Sequence, residues 1–368
     1  MSFPDLRAFL DRLRRDRDLV EITAPVARSL EAAEIHRRVV AASGPALLFS
    51  NVGDADFPLV TNLFGTARRA ELAFGERPQR LIRRLVELVE TALPPTAATL
   101  WSARDLTAEL FRVGVRRVRR GPVTDVVTDD VRLDRLPAMT TWPEDAGPLI
   151  TWGLTTTRGP FAERQNLGVY RQQVIDRDRL IMRWLPHRGG ATDYRAWCAA
   201  HPDKPFPVAV TIGADPATLL AAVTPIPDTL SEYAFAGLLR GARTQLTTCL
   251  TPDLSVPANA EITLEGHIAP DDTAVEGPFG DHTGYYNETE SFPVMTVDKI
   301  THRADPIYHT TYTGRPPDEP SVLGLALNDV FVPVLQTQYP EIEDFYLPSE
   351  ACSYRVAVVS IRKQYPGH

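Results

Sequence analysis

The chain has 368 residues, of which 43% are apolar and 23% charged, the proportions of a globular protein with room for two or three domains. Its formal net charge of −8 speaks against a nucleic-acid-binding role, and the basic run at 116–120 has no interleaved aromatics and reads as a solvated connector. The cysteines, Cys198, Cys249 and Cys352, are odd in number and far apart with no CxxC, which argues against a disulfide framework or zinc cluster and suits a reducing cytosol.

Leu6, Phe9, Leu10 and Leu13 follow the spacing of a helix with one buried face. This amphipathic start lacks the basic and apolar stretches of a signal peptide, and no apolar run reaches bilayer length. A short strand is expected over 19–22, then a helix capped by Ser29 and running to Gly44. Strand-like runs follow at 46–49 and 58–63, and helical patterns at 67–74 and 79–93, the second stopped by Pro94 and Pro95. This alternation predicts an α/β domain.

From about 122 to 312 short β-rich runs dominate, at 153–157, 180–184, 207–212, 261–265 and 294–300, which predicts a barrel or a sandwich. Two helices interrupt them. One starts at Asp215-Pro216, with proline at the first helical position, and the other spans about Ser231 to Gly241. A proline-rich loop over 314–320 leads to a helical stretch reaching about Asn328. The last run, 354–361, reads as a strand buried on both faces, as if the chain stopped partway into a further domain.

The common phosphate-loop, dinucleotide, zinc-protease and nucleophile-elbow motifs are absent. Three looser groupings remain. Segment 163–173 (ERQNLGVYRQQ) with 181–190 (IMRWLPHRGG) alternates polar and apolar residues over two expected strands. Asn166, Gly168 and Tyr170 share one face and Arg171 lies on the other. Arg183, Arg188 and the Gly189-Gly190 pair suit a phosphate, or the strand has a plain solvated side. Segment 276–286 (EGPFGDHTGYY) sets Glu276 and Asp281 in a glycine-rich loop. Two carboxylates held close would repel, so one should keep its proton as a general acid; the alternative is a surface turn. Glu232, opening its helix, reads on position alone as a capping acid.

Together these segments resemble the UbiD-type decarboxylases, and within them the bacterial 4-hydroxy-3-polyprenylbenzoate decarboxylases. The resemblance spans the chain, through DLRAFL (5–10), GPALLF (44–49), NLFG (62–65), WPED (142–145), TWGL (151–154), QNLGVYRQQ (165–173), LSEYAFAGLLR (230–240) and the 276–286 segment. It implies a mixed α+β fold in three parts: an N-terminal α/β domain (1–115), a central split β-barrel of flavin-reductase type that binds prenylated FMN and metal (116–312), and the incomplete start of a C-terminal α/β domain (313–368). It implies Mn²⁺ or Mg²⁺ on Asn166, Glu232 and His187, a monovalent cation, and cofactor contacts from Val169, Tyr170, Arg171, Arg183, Trp184, Leu185, Arg188 and Gly189. Glu232 then becomes a ligand rather than a cap. The catalytic residues implied are Arg171, which holds the substrate carboxylate, Asp281 as proton donor, and Glu276, which orients Arg171 and tunes Asp281. Aspartate rather than glutamate at 281 matches the relatives acting on aromatic acids.

The activity implied is non-oxidative decarboxylation of 4-hydroxy-3-polyprenylbenzoate to 2-polyprenylphenol in ubiquinone synthesis. Its cofactor would come from a flavin prenyltransferase. The enzyme would be cytoplasmic, at the inner face of the membrane where its apolar substrate resides, and a homo-oligomer, hexameric at the family's full length. Three alternatives stand beside it: a decarboxylase of another aromatic acid, an inactive flavin-binding scaffold, and a flavin reductase, which would leave the arginine and acids without a role.

Overall fold

The structure is a computed structural model that describes residues 3–75, 80, 114–224, 226, 230–351 and 356–368. Apart from Arg80, the helix expected over 79–93, its proline stop and Cys352 lie outside these residues.

Helix α1 (Leu6–Arg15) starts where the Asp5 carboxylate accepts from Ala8 N at 2.8 Å, and it buries Leu6, Phe9, Leu10 and Leu13, the face expected from their spacing. Strand β1 (Leu19–Ile22) pairs in parallel with β2 (Ala46–Phe49), with helix α2 (Glu31–Ala41) between them. Ser29 does not cap α2. The N-cap is Leu30, and the Ser29 backbone instead bridges to Thr140, while Glu31 accepts from Ala27 N at 2.7 Å. Strand β3 (Leu59–Thr61) runs antiparallel to β2, and helix α3 (Ala67–Phe74) follows, capped by Thr66.

The middle of the chain is a closed barrel. Strand β4 (Val115–Arg117) lies outside it, and β5 (Val126–Thr128) extends one of its edges. The barrel strands are β6 (Leu149–Thr157), β7 (Asn166–Val174), β8 (Arg179–Met182) and β9 (Phe206–Ile212), and later β12 and β13. Between β8 and β9 stands helix α4 (Gly189–Ala200), which opens on the Gly189-Gly190 pair and was not expected from the sequence. Helices α5 (Pro216–Val223) and α6 (Glu232–Arg240) follow β9, and β10 (Thr244–Thr248) pairs with β4 and β11 (Ser255–Pro257). Strands β12 (Ile262–Glu276) and β13 (Glu290–His302) form a long hairpin. The antiparallel order β12-β9-β6-β7-β8-β13 closes through the β12–β13 pairing, so the alternative of a sandwich falls away.

Strand β14 (Tyr308–His309) returns to the first sheet and pairs in parallel with β3. Helix α7 (Glu319–Gln338) runs well past Asn328, where the helical stretch was expected to end, and continues through Pro333. Strands β15 (Ile342–Tyr346) and β16 (Val358–Ile361) form an antiparallel pair. All four β16 residues are exposed, contrary to the expected burial, because among the described residues β16 pairs only with β15.

Two apolar clusters explain how the parts hold together. One fills the barrel with Tyr170, Trp184, Phe206, Val210, Leu264 and Met295 and continues onto Leu47, Phe49 and Leu59 of the first sheet. The other takes the opposite faces of the same strands, Leu48 and Val60, with Leu154 and Leu167, and packs them on α1, α5 and α6. Alternation along β2, β3, β6 and β7 therefore gives each strand two buried faces.

Candidate functional site

The outer face of β7, α4 and the ends of α5 and α6 enclose a cavity of about 310 Å³. It is lined by Asn166, Val169, Tyr170, Arg188, Gly189 and Glu232, all expected from the sequence, together with Leu167, Gly168 and the end of α5 from Ala222 to Thr224, which were not. Its position follows from how α6 is tied down. Tyr233 is buried with its hydroxyl 2.7 Å from Thr156 Oγ1 on β6, which fixes the first turn. At the other end, Arg240 makes a buried fork onto Asp215, at 2.9 and 2.8 Å from Nη2, and Asp215 also caps α5. The two helices are thus clamped, and Glu232 is held at the cavity wall.

Glu232 is buried, and among the described residues its Oε2 has no hydrogen-bond partner; Arg164 Nη1 lies 3.5 Å away. Burial raises its carboxyl above the usual range, against Arg164 and backbone donors. A buried carboxylate oxygen without a donor suits a cation there. The Asn166 carboxamide leans on the first residue of α4: a Cβ at Gly189 would stand 2.2 Å from Asn166 Oδ1, so any larger residue there displaces that carboxamide. Gly190 N donates to the Tyr170 hydroxyl at 3.1 Å, and burial raises that phenol. Oxygen donors from Asn166 and Glu232 suit a hard divalent ion, and the start of α4 beside Arg188 suits a phosphate.

Two residues beyond Val169 on the same face of β7, roughly 7 Å along the strand, comes Arg171. Its Nε and Nη2 donate to Glu276 Oε1 and Oε2 at 2.7 and 2.9 Å, and Nη2 also donates to Asn287 Oδ1 at 3.1 Å. The guanidinium carbon lies 5.2 Å from the Phe279 ring centroid. Glu276 is fully buried at the end of β12, and Arg183 Nε stands 3.6 Å from its Oε2. Burial, and then Arg171, push the Arg183 guanidinium below its ordinary value.

Asp281 sits in the loop joining β12 to β13. Three side chains hold that loop: Gln173 Oε1 accepts from Gly277 N at 3.0 Å, Asn287 Oδ1 from Phe279 N at 2.9 Å, and Asp145 Oδ1 from Gly280 N at 2.9 Å. Gly277 has φ +84°, a conformation that favours glycine. Asp281 Oδ1 accepts from His282 N at 2.8 Å and lies 2.7 Å from His282 Nδ1. Burial raises the Asp281 carboxyl, but these two contacts, with the His282 and Arg171 charges, outweigh it and leave the group below the usual carboxylate range. The expected repulsion between two carboxylates is therefore not what governs Asp281. Glu276 spends both oxygens on Arg171, and Asp281 answers to His282.

Three of the expected site residues, His187, Trp184 and Leu185, lie apart from the cavity lining. His187 is exposed and does not line the cavity, because the turn closed by Arg188 N on Leu185 O at 2.9 Å carries it outward. Trp184 turns into the barrel, 4% exposed, against Tyr170, Tyr194 and Phe206, and Leu185 packs near Phe292. Sequence reading also missed Asn287, Asp145 and Gln173, whose roles depend on contacts distant in the chain.

Family comparison agrees with the resemblance. A model described as 3-octaprenyl-4-hydroxybenzoate carboxy-lyase Rift-related domain matches residues 116–316. The N-terminal and C-terminal domain models of that description match 10–89 and 321–368. Among solved structures, vanillic acid decarboxylase of Sedimentibacter hydroxybenzoicus in open form is 28% identical with a TM-score of 0.80, covering 100% of this chain and 76% of that one. An evolved dimeric form of the UbiD-class enzyme HmfF from Pelotomaculum thermopropionicum, in complex with prFMN, is 28% identical with a TM-score of 0.82, covering 99% and 80%. The 3,4-dihydroxybenzoic acid decarboxylase of Enterobacter cloacae shares the fold, at 24% identity and a TM-score of 0.80 over 100% and 76%.

Proposed function

The chain belongs to the UbiD family of carboxy-lyases, and on that premise we propose that it decarboxylates an aromatic acid with prenylated FMN and a divalent metal ion, the acid being 4-hydroxy-3-polyprenylbenzoate. The observation that carries this reading is Arg171, locked at fixed angle by buried Glu276 on the strand that also lines the cavity. Asn166 and Glu232 would hold Mn²⁺ or Mg²⁺, with Arg188 and the start of α4 at the cofactor phosphate. Prenylated FMN, when bound, supplies an electrophilic carbon and an electron sink for the pair left by departing CO₂.

The chain's own residues do the rest. Arg171 Nη1, which makes no hydrogen bond among the described residues, is left to take the substrate carboxylate, because Glu276 occupies Nε and Nη2. Asp281 delivers to the ring carbon the proton that replaces CO₂, with His282 Nδ1 2.7 Å away as its hydrogen-bond partner. The loop held by Gln173, Asn287 and Asp145 keeps that carboxyl in place. The segments 1–115, 116–312 and 313–368 act as the three domains of a homo-oligomer working at the membrane surface, with a flavin prenyltransferase supplying the cofactor.

The second reading is a smaller hydroxybenzoate, favoured by the 28% identity to a vanillic acid decarboxylase. Release of ¹³CO₂ from carboxyl-labelled acids decides between them. Turnover of the prenylated acid alone supports the first reading, turnover of vanillate alone the second. Turnover of neither by the flavin-loaded chain would contradict both.

A further inference from the structure

Asn166 opens β7 directly opposite Thr157, the last residue of β6. Asn166 Nδ2 lies 3.3 Å from Thr157 Oγ1, and that hydroxyl in turn lies 2.7 Å from Asp193 Oδ2 on α4. The order of these contacts has a direction. An ionised carboxylate only accepts, so the Thr157 hydroxyl must donate to Asp193, and its lone pairs are left for the Asn166 amide. The two ends of a carboxamide have nearly the same shape, so a partner that can only accept at that distance decides which end faces it. The NH₂ end is thereby turned towards β6 and Oδ1 towards Gly189 and the cavity.

We propose that Asp193 and Thr157 are positioning residues that present Asn166 Oδ1 to a divalent cation in the cavity, an inference that rests on reading Asn166 and Glu232 as metal ligands. Asp193 is itself held against the chain after β6, where a Cβ at Gly159 would stand 3.1 Å from its Oδ1. Its charge reaches Glu232 as well, so the relay adds negative potential where a cation would sit. Orienting partners of this kind, one step behind the ligands, fix both the aim and the donor strength of the group in front of them.

The test is a Mn²⁺ titration of the full chain loaded with FMN, followed by the EPR signal of the free ion. It compares wild type with Asn166→Ala, Thr157→Val, Thr157→Ser and Asp193→Ala. Thr157→Val and Asp193→Ala are expected to weaken Mn²⁺ binding about 10- to 100-fold, and Thr157→Ser, which keeps the hydroxyl, to stay near wild type. Asp193 is only half-buried, so its variant decides the matter if Thr157→Val does not fold. Wild-type affinity in both relay variants, with loss in Asn166→Ala, would overturn the relay and leave the metal reading standing. Equal losses in Thr157→Ser and Thr157→Val would overturn it as a packing effect. Failure of the wild type to bind Mn²⁺ would overturn the relay and the metal reading together.

Discussion

Replacing Glu276 by glutamine tests the centre of the site with almost no change of shape. In the native protein two guanidinium groups converge on this one carboxylate, Arg171 by a fork at 2.7 and 2.9 Å and Arg183 at 3.6 Å. Glu276 is 0% exposed and Arg171 only 17%. In the amide variant one N–H group of the fork faces another N–H group, and two neighbouring cations lose their shared counter-charge. Removing one partner of a buried ion pair costs about 3–5 kcal/mol, and the partial exposure of Arg171 places this case near 3 kcal/mol. Urea unfolding followed by tryptophan fluorescence reads that loss, since Trp152 and Trp184 are buried in or on the barrel. The same variant should lose about 100-fold in kcat/KM, because Arg171 is no longer held at one angle. Stability within about 0.5 kcal/mol of wild type, with wild-type turnover, would refute the reasoning.

Other perturbations have equally definite outcomes. Burial pushes the Glu319 carboxyl up to about 7, so its folded form prefers the proton: stability is highest below the unfolded carboxylate value and falls as pH rises towards 7, by roughly 3 kcal/mol. Glu319→Gln should abolish that slope between pH 5 and 8, and a retained slope would mean its source lies elsewhere. Asp281 is depressed, so its contribution is present at neutral pH and lost as pH falls through its folded value; His282→Ala should shrink that acid loss in unfolding curves and lower kcat. Gly189→Ala drives a Cβ to 2.2 Å from Asn166 Oδ1, and should leave the fold intact by circular dichroism while the purified protein loses its bound metal.

Much of this was legible before any coordinates. Strands β1 and β2 and helix α3 begin and end where the apolar runs and the helical period place them, because those are local signals. Helix α4 was not legible, since Gly189 and Gly190 are poor helix formers and the apolar face of Ala191, Tyr194 and Trp197 is set by packing on Trp184 and Phe206. Pro333 similarly suggests a stop that α7 overrides. Within the site, the family resemblance marked Asn166, Arg171, Glu232, Glu276 and Asp281, and it paired Glu276 with Arg171, whereas position alone made Glu232 a capping acid. That pairing spans 105 positions and has no local signal, and the grip of the adjacent His282 on Asp281, in place of the second acid, was not foreseen. The outward turn of His187 and the relay from Asp193 to Asn166 are likewise properties of the folded chain.

The proposed chemistry requires a flavin bound beside β7. The direct measurement is to purify the chain from cells that also express a flavin prenyltransferase, denature it, and identify the released cofactor by mass spectrometry. Prenylated FMN from the wild type, sharply reduced in Gly189→Ala, is the expected result. A folded wild-type chain that releases no flavin of any kind would contradict it.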